Sequence, residues 1–368
     1  MMETISAKEW FEKGLELFEN NKFEEAIKAY DEALKINPSL AGAWTNKGNT
    51  LIVLGKPDDA LTAYEEAIKI NPELWEIWLN KGVLLNNMNK LDEAAQAFDE
   101  AIKLNPESSE AYYNKGIVFH KQNKFEEAIK AYDESIRLNP NVAQVWNNRG
   151  VALHNLDKHE EAVKAYEEAI KLSPDYVKAW NNKGNSLEDA GKHTEAITAY
   201  DEAIKLDPKY TEAWVSKGCS LIALANYEEA IKAFDESIKV EPNDAEAWFY
   251  KGTALLQSGR KMEAYAAFIE ATEINPGYAD AWFSKGSILA KSGKYTDAAL
   301  AYEKAVKIDP KFAKAWYNLS TVYHAVGKHE ESTKAYQEAV KLNPGYESTP
   351  PSGQKNKGFY KPGNSVNL

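Results

Sequence analysis

Residues 41–74 read AGAWTNKGNTLIVLGKPDDALTAYEEAIKINPEL, and residues 143–176 read AQVWNNRGVALHNLDKHEEAVKAYEEAIKLSPDY. The two stretches share Trp, Gly, Ala, Tyr and Pro at the same places, and their starting points differ by a multiple of 34 residues. Ten such units fill residues 7–346 without insertion or deletion, and they begin at residues 7, 41, 75, 109, 143, 177, 211, 245, 279 and 313. A fixed period of this length is the sequence signature of a tandem-repeat protein.

Each unit, with its positions numbered 1 to 34, has the periodicity of two amphipathic helices. Position 4 is Trp, position 8 is Gly and position 20 is Ala in nine units each, while position 24 is always Tyr or Phe and position 32 is always Pro. Small residues mark places where helices approach closely, the aromatic side chains fill the seam between them, and Pro ends the second helix. The pattern predicts an all-α protein of about twenty helices with no strand.

These residues resemble the tetratricopeptide repeat, whose pattern they match at seven of its eight places in almost every unit. The resemblance implies a right-handed α-solenoid superhelix of ten helix-turn-helix units. One place departs from the family: position 7, where the family has Leu, is Lys or Arg in nine units, from Lys13 to Lys285, and Leu only at Leu319. A long stem can lie along the apolar seam and keep its charge in water, although the sequence does not identify a partner for that charge.

The second helices carry charges that suit their ends, with acids in the first turn and a base in the last. Asp31 precedes Lys35 by four residues, as Asp133 precedes Arg137, so the sequence predicts an ion pair within each helix.

The tenth unit is more polar, with Ser320, Ser332 and Thr333 in place of small or apolar residues, which is typical of a solvent-facing cap. Residues 1–6 form a short lead-in, and the Gly, Pro, Ser and Asn content of residues 347–368 predicts a flexible tail.

The amino-acid composition limits the cellular compartments and the classes of partner that suit this protein. The single Cys219 excludes a disulfide framework and indicates a reducing compartment, and with no signal segment the sequence predicts a cytoplasmic protein. No apolar run is long enough for a membrane span. The net charge of -12 disfavours nucleic acid and anionic membranes and favours neutral or basic peptides as partners.

The sequence contains no motif of an enzyme, a cofactor site or a metal centre, so we expect none of these. His159, His193 and His329 occupy position 17, where other units have Phe or Tyr, and are interpreted as substitutes for an aromatic in the seam. His120 and His154 share position 12 of neighbouring units and are expected to face each other across a groove, but two ligands make a weak case for a metal.

Asparagine recurs on the first helices, whose inner face lines the ligand-binding groove in the family. The predicted backbone-binding row consists of Asn46, Asn80, Asn114, Asn148, Asn182 and Asn318 at position 6, with Asn147 and Asn181 at position 5 and Asn49 and Asn185 at position 9. A carboxamide both donates and accepts hydrogen bonds, so a row of them can hold the backbone of an extended peptide. The row resembles the asparagine ladder in the repeat region of O-linked GlcNAc transferases. The alternative is that these residues only solvate the groove.

From the seventh unit the groove becomes aromatic, with Phe249, Tyr250, Phe283 and Tyr317 predicted as anchoring residues for peptide side chains. The alternative is packing between adjacent first helices. Position 5 is never Lys and position 6 is never Arg, which argues against the carboxylate clamp that binds chaperone tails in the family.

Together these features predict a non-enzymatic adaptor that binds an extended peptide or a protein tail in its concave groove. The competing hypothesis is a structural module that self-associates end to end, because the array has no separate capping helix.

Overall fold

The computed structural model describes residues 5–347 and residue 351. In this part the chain forms twenty α-helices of 12 to 14 residues, one short 3-10 helix at Pro344–Tyr346, and no strand. The α-helices are α1 (Ala7–Glu19), α2 (Phe23–Ile36), α3 (Ala41–Val53), α4 (Pro57–Ile70), α5 (Trp75–Asn87), α6 (Leu91–Leu104), α7 (Ser109–Lys121), α8 (Phe125–Leu138), α9 (Ala143–His154), α10 (His159–Leu172), α11 (Val177–Asp189), α12 (His193–Leu206), α13 (Thr211–Ala223), α14 (Tyr227–Val240), α15 (Ala245–Gln257), α16 (Lys261–Ile274), α17 (Ala279–Lys291), α18 (Tyr295–Ile308), α19 (Ala313–Ala325) and α20 (His329–Leu342). The expectation of an all-α fold is confirmed. Residues 1–4 of the lead-in and residues 348–350 and 352–368 of the predicted tail lie outside the described residues.

The helices are divided between two compact units. The first unit ends at Ala190 and contains α1 to α11, and the second begins at Gly191 and contains α12 to α20. Within each unit, helices that follow one another in the chain pack together, and the first helices of adjacent repeats also touch. Each unit is therefore an α-solenoid of tandem helix pairs. Among the described residues, no helix combines the length and apolar character needed to cross a bilayer.

The seam inside a repeat depends on the small residues that the sequence places there. A Cβ atom added to Gly116 would lie 2.5 Å from the ring of Tyr132, and one added to Gly82 would lie 2.6 Å from Phe98. Position 8 must therefore lack a side chain for the aromatic residue at position 24 to enter the seam. The alanines at position 20 are fully buried from Ala26 to Ala298. The prediction that small residues set the helix spacing is confirmed.

The turn between the two helices of a repeat has the left-handed backbone conformation at position 15. In all ten repeats the residue at position 15 has a positive φ. It is Gly in five repeats, and in the others it is Asn21, Asn89, Asn123, Asp157 or Ala225. Gly, Asn and Asp tolerate this region, whereas an alanine there is strained by its Cβ. Ala225, with φ of 56°, is the one such residue among the ten turns.

The tryptophan at position 4 holds each repeat to the preceding one. Its indole N–H donates a hydrogen bond to the carbonyl of the proline that ends the previous repeat, as from Trp44 to Pro38 at 3.1 Å and from Trp146 to Pro140 at 2.9 Å. The same bond is made by Trp78, Trp180, Trp214, Trp248, Trp282 and Trp316. Tyr112 replaces tryptophan in the fourth repeat and has no indole to donate. We call these eight contacts the indole clamps.

The cation at position 7 pairs with an acid of the preceding repeat. Nζ of Lys47 lies 2.6 Å from Oδ1 of Asp31 and 5.1 Å from the centre of the Trp44 ring. Equivalent ion pairs are Lys81–Glu65, Lys115–Asp99, Arg149–Asp133, Lys183–Glu167, Lys217–Asp201 and Lys251–Asp235. The stem lies in the seam as expected, and each pair contributes up to about 1 kcal/mol to a junction.

The predicted Asp31–Lys35 pair is therefore wrong. Lys35 bonds instead to Glu32, one turn earlier in the same helix, at 2.6 Å. The corresponding bond of Arg137 goes to Glu134, at 2.8 Å. The acid at position 25 is drawn to the next repeat because the cation there is held in place by the seam.

The polar residues of the tenth repeat do not all form a solvent-facing cap. Ser320 and Ser332 are buried, and the Ser332 hydroxyl donates a hydrogen bond of 2.8 Å to the carbonyl of Ser320. Only Thr333 of the three is exposed. The cap interpretation is thus wrong for both serines. Each is small and bonds to a backbone carbonyl, and Ser320 is accommodated at position 8 because Tyr336 at position 24 of this repeat is only half-buried. The hydroxyl of Tyr336 donates to the carbonyl of Tyr346, which holds the 3-10 helix against α20.

Candidate peptide-binding surfaces

The asparagines at position 6 form a regular series in the first unit. Each is the sixth residue of the first helix of its repeat, in α3, α5, α7, α9 and α11, and each is half-buried. The members of this asparagine row are Asn46, Asn80, Asn114, Asn148 and Asn182. The structure thus presents one partly exposed carboxamide per repeat over five consecutive repeats.

The hydrogen bonds of the row fall into two groups. Asn46 and Asn114 each donate one N–H to a carbonyl of their own helix, at 2.9 Å. The other three donate to the preceding repeat, Asn80 to Asn49 at 3.4 Å, Asn148 to the Tyr113 hydroxyl at 3.2 Å and Asn182 to Asn147 at 3.1 Å. These links between repeats were not anticipated from the sequence. A carboxamide has two N–H donors, so each member retains a second one after the bond described here.

Two of the predicted groove residues lie behind the row. Asn147 and Asn181 are buried, with exposed fractions of 5% and 3%, which corrects the expectation that both line the groove surface. Leu79 at the same position is buried as well, so position 5 belongs to the packed side of the first helix. Asn147 donates to Asn148 at 3.3 Å and accepts from Asn182, so it supports the row from within.

The two asparagines at position 9 are half-buried. Oδ1 of Asn49 accepts a hydrogen bond from the Tyr64 hydroxyl and from Asn80. Asn49 therefore connects the aromatic seam of its own repeat to the row. Asn185 is the equivalent residue of the sixth repeat.

The aromatic residues of the second unit are half-buried and pack on the core. Phe249 lies 5.8 Å from Phe268, and Phe283 lies 5.6 Å from Tyr302, measured between ring centres. These rings therefore cover part of the core of their own repeats. The position 24 rings fill the seam beside the glycine of position 8, and the position 5 rings lie against them.

A second aromatic residue covers each of these rings at a fixed spacing. The pairs are Phe249–Tyr278, Phe283–Phe312 and Tyr317–Tyr346, with ring centres 4.9, 4.9 and 4.6 Å apart. In each pair the partner is at position 34, twenty-nine residues later. We call these six residues the aromatic ladder. Sequence reasoning overlooked position 34, and the recurrence of Tyr or Phe there in the second unit was the available signal.

The remaining two predicted residues of the second unit support this ladder. Tyr250 stacks on Phe234, with ring centres 6.1 Å apart and an angle of 17° between the planes. Asn318 donates to the hydroxyl of Tyr302 at 3.4 Å.

Acidic groups lie close to the ladder. Burial raises the pKa of Tyr278 well above its usual value, and Tyr250, Glu246 and Asp280 add electrostatically to the shift. Burial likewise raises the pKa of the Glu246 and Asp280 carboxyls. A cation near these carboxylates would stabilise their ionised form, which burial destabilises. The surroundings of the ladder therefore favour a positively charged group over an anion.

The histidines pair within their own repeats and not across a groove. The ring of His120 lies 5.2 Å from Phe125, and that of His154 lies 5.4 Å from His159. The expectation that His120 and His154 face each other is wrong, because positions 12 and 17 meet where the two helices of a repeat join. His159 does take the place of an aromatic, as predicted.

Comparison with known families agrees with this architecture. Sequence models of the tetratricopeptide repeat match residues 45–108, 79–143, 113–177, 147–211, 215–279 and 313–346, and a model described as TPR repeat matches residues 14–55 and 286–327. The chain belongs to the tetratricopeptide repeat family. Proteins built from this repeat generally act as non-enzymatic scaffolds for protein–protein interaction, and the fold supports that role here.

Solved structures of other tetratricopeptide repeat proteins share the fold. One from Parabacteroides merdae is 17% identical with a TM-score of 0.50, over 68% of this chain and 98% of that one. YrrB, described as having an unusual peptide-binding site, is 24% identical with a TM-score of 0.45, over 50% of this chain and 95% of that one. Yeast Tom70 is 16% identical with a TM-score of 0.47, over 92% of this chain and 85% of that one. No curated protein sequence matches this tetratricopeptide repeat chain.

Proposed function

We propose that this tetratricopeptide repeat protein is an adaptor that binds an extended peptide or protein tail through the asparagine row of its first unit. The observation that carries the proposal is the regular presentation of one partly exposed carboxamide per repeat, from Asn46 to Asn182. Each carboxamide retains an N–H donor beyond its internal bond. A row of this kind binds backbone amides and carbonyls, so it holds many sequences with similar strength.

The aromatic ladder of the second unit supplies a different kind of contact. Half-buried rings beside partly buried carboxylates suit an apolar or basic side chain, in keeping with the acidic charge of the whole molecule. This surface selects ligands by the fit of their side chains. The proposed partner is therefore a neutral or basic segment.

The row is tested with a pair of matched double variants and a phage-displayed library of short random peptides as the probe. Asn46→Ala with Asn114→Ala removes the two carboxamides that bond only to their own helix. We expect the melting temperature to stay close to that of the parent, because alanine is the better helix former. Binding of most selected peptides should weaken, by about 1 kcal/mol per lost hydrogen bond.

Asn148→Ala with Asn182→Ala is the matched control, because it removes hydrogen bonds between repeats as well as surface carboxamides. This variant should lose stability as well as binding. If the Asn46 and Asn114 double variant binds every selected peptide as the parent does, the row only solvates the surface and the proposal fails. A mass that grows with protein concentration in light scattering would support end-to-end assembly instead.

A further inference from the structure

Three side chains from two neighbouring repeats converge in the first unit. His154 is the last residue of α9, His159 is the first residue of α10, and Asp189 is the last residue of α11. One ligand atom from each lies within 4.8 Å of the other two. Nε2 of His154 is already 3.6 Å from Oδ2 of Asp189. The ends of three helices thus bring two imidazoles and a carboxylate together.

The ring of His154 is oriented from behind. Its Nδ1 lies 2.9 Å from the hydroxyl of Ser186, a residue that is fully buried one turn before Asp189. This contact turns Nε2 toward the carboxylate, as the outer hydrogen bond of a metal-binding histidine does. Nδ1 of His159 is buried without a hydrogen-bond partner among the described residues. Neither imidazole is used by the peptide-binding surfaces.

The electrostatics suit a cation. His154 and His159 are both half-buried, and Nε2 of His154 faces the carboxylate of Asp189. An imidazole binds a metal ion through the lone pair of its neutral form. Asp189 is exposed and supplies negative charge.

We propose that His154, His159 and Asp189 bind a divalent transition-metal ion of the zinc class. Imidazole nitrogen and carboxylate oxygen are preferred donors for such ions, and three protein ligands leave one coordination position for water. A tetrahedral site with bonds of about 2.0–2.1 Å places its donor atoms about 3.3 Å apart. The pair His154–Asp189 is near that spacing, and the exposed Asp189 can close the remaining distance. The ion would fasten the end of α11 to the turn between α9 and α10.

The chain contains a control for this site. In the tenth repeat His324 and His329 occupy the same two positions, with ring centres 5.1 Å apart. The third ligand comes from the repeat that follows, at position 13, and the tenth repeat is the last of the array. Among residues 5–347 and residue 351, no carboxylate completes a group of three ligands with His324 and His329.

The proposal is tested by titrating untagged, chelator-treated full-length protein with zinc chloride in a calorimeter. We expect one tight site per chain, and zinc should raise the melting temperature of the parent. His159→Phe, which installs the residue found at this position in Phe23 and Phe125, and Asp189→Asn should each weaken that site by about tenfold or more. His329→Phe should leave it unchanged.

Cobalt provides a second measurement that does not depend on stability. Its visible absorption bands report coordination by nitrogen and oxygen ligands, and they should appear in the parent and in the His329→Phe variant but not in His159→Phe. Absence of a saturable site in the parent overturns the proposal. So does a site that survives both His159→Phe and Asp189→Asn, or one that is lost in His329→Phe.

Discussion

The two units of the molecule use the same positions of the repeat for opposite chemistry. At position 5 the first unit has the buried Asn147, which accepts a hydrogen bond from Asn182 of the next repeat, while the second unit has Phe283, whose ring packs on Tyr302 and Phe312 of its own repeat. The seam pattern, from Trp at position 4 to Pro at position 32, recurs in both units with few exceptions. Position 5 therefore links neighbouring repeats in the first unit and covers the core of a single repeat in the second, and a different surface results in each unit.

The largest effect is expected where a ring is removed from the second unit. Phe283→Ala deletes contacts with Tyr302 and Phe312 and should cost about 2–3 kcal/mol of unfolding free energy, since the ring is half-buried. Asn148→Ala in the first unit should cost only about 1 kcal/mol. Urea denaturation of both variants measures the difference. Phe283→Leu is the control, because it keeps apolar volume and should recover most of the loss. Equal losses for Phe283→Ala and Asn148→Ala would mean that ring packing within a repeat and a hydrogen bond between repeats contribute equally to stability.

An intermediate effect separates two asparagines that look identical in sequence. Oδ1 of Asn181 is buried without a hydrogen-bond partner among the described residues, whereas Asn147 both donates and accepts. Asn181→Leu should therefore raise the free energy of unfolding by about 1 kcal/mol, because it removes an unsatisfied polar atom. The third repeat already has Leu79 at this position.

Asn147→Leu is the matched variant, since it makes the same substitution one repeat earlier. It should lower the free energy of unfolding by about 1–2 kcal/mol, because it strips Asn148 and Asn182 of a partner. Urea midpoints of the two variants should move in opposite directions. Shifts of the same sign would show that burial alone, and not hydrogen bonding, decides what position 5 tolerates.

The smallest effect concerns a junction of the second unit where the acid is missing. Position 25 is Ile269 instead of Asp or Glu, and burial lowers the pKa of the Lys285 ammonium that would pair with it. Ile269→Asp should exceed Ile269→Asn in stability by less than about 1 kcal/mol, since exposed ion pairs are weak. The comparison with Asn removes the cost of losing the isoleucine side chain. The difference should shrink in high salt, and a difference independent of salt would exclude an ion pair.

The seam of the fold could be predicted from the sequence because it is set by local steric demands. The position of Gly116 has no space for a side chain because the Tyr132 ring enters the seam there, and both residues lie in one repeat at a fixed spacing. The contacts between repeats could not be predicted in the same way. The Lys47–Asp31 ion pair and the hydrogen bond from Asn182 to Asn147 depend on how one helix pair packs on the next, which no single repeat specifies.

The surfaces were predicted only in part for the same reason. The recurrence of Asn at position 6 identifies the row, but exposure depends on the neighbouring repeat, so Asn147 and Asn182 look alike in sequence and differ in burial. The cluster at His154 was missed because its third member, Asp189, comes from the next repeat. A search for ligand residues one period apart would have found it.

The tryptophans of the indole clamps are intrinsic fluorescent probes of the junctions between repeats. Eight of the ten tryptophans lie at junctions between repeats, the others being Trp10 and Trp75. Intrinsic fluorescence therefore reports mainly on whether neighbouring repeats are docked, because opening a junction exposes the indole to water. The junction before the fourth repeat has Tyr112 in place of the tryptophan at position 4, so no indole clamp reports on it. A Tyr112→Trp variant would add a fluorescent indole at this junction.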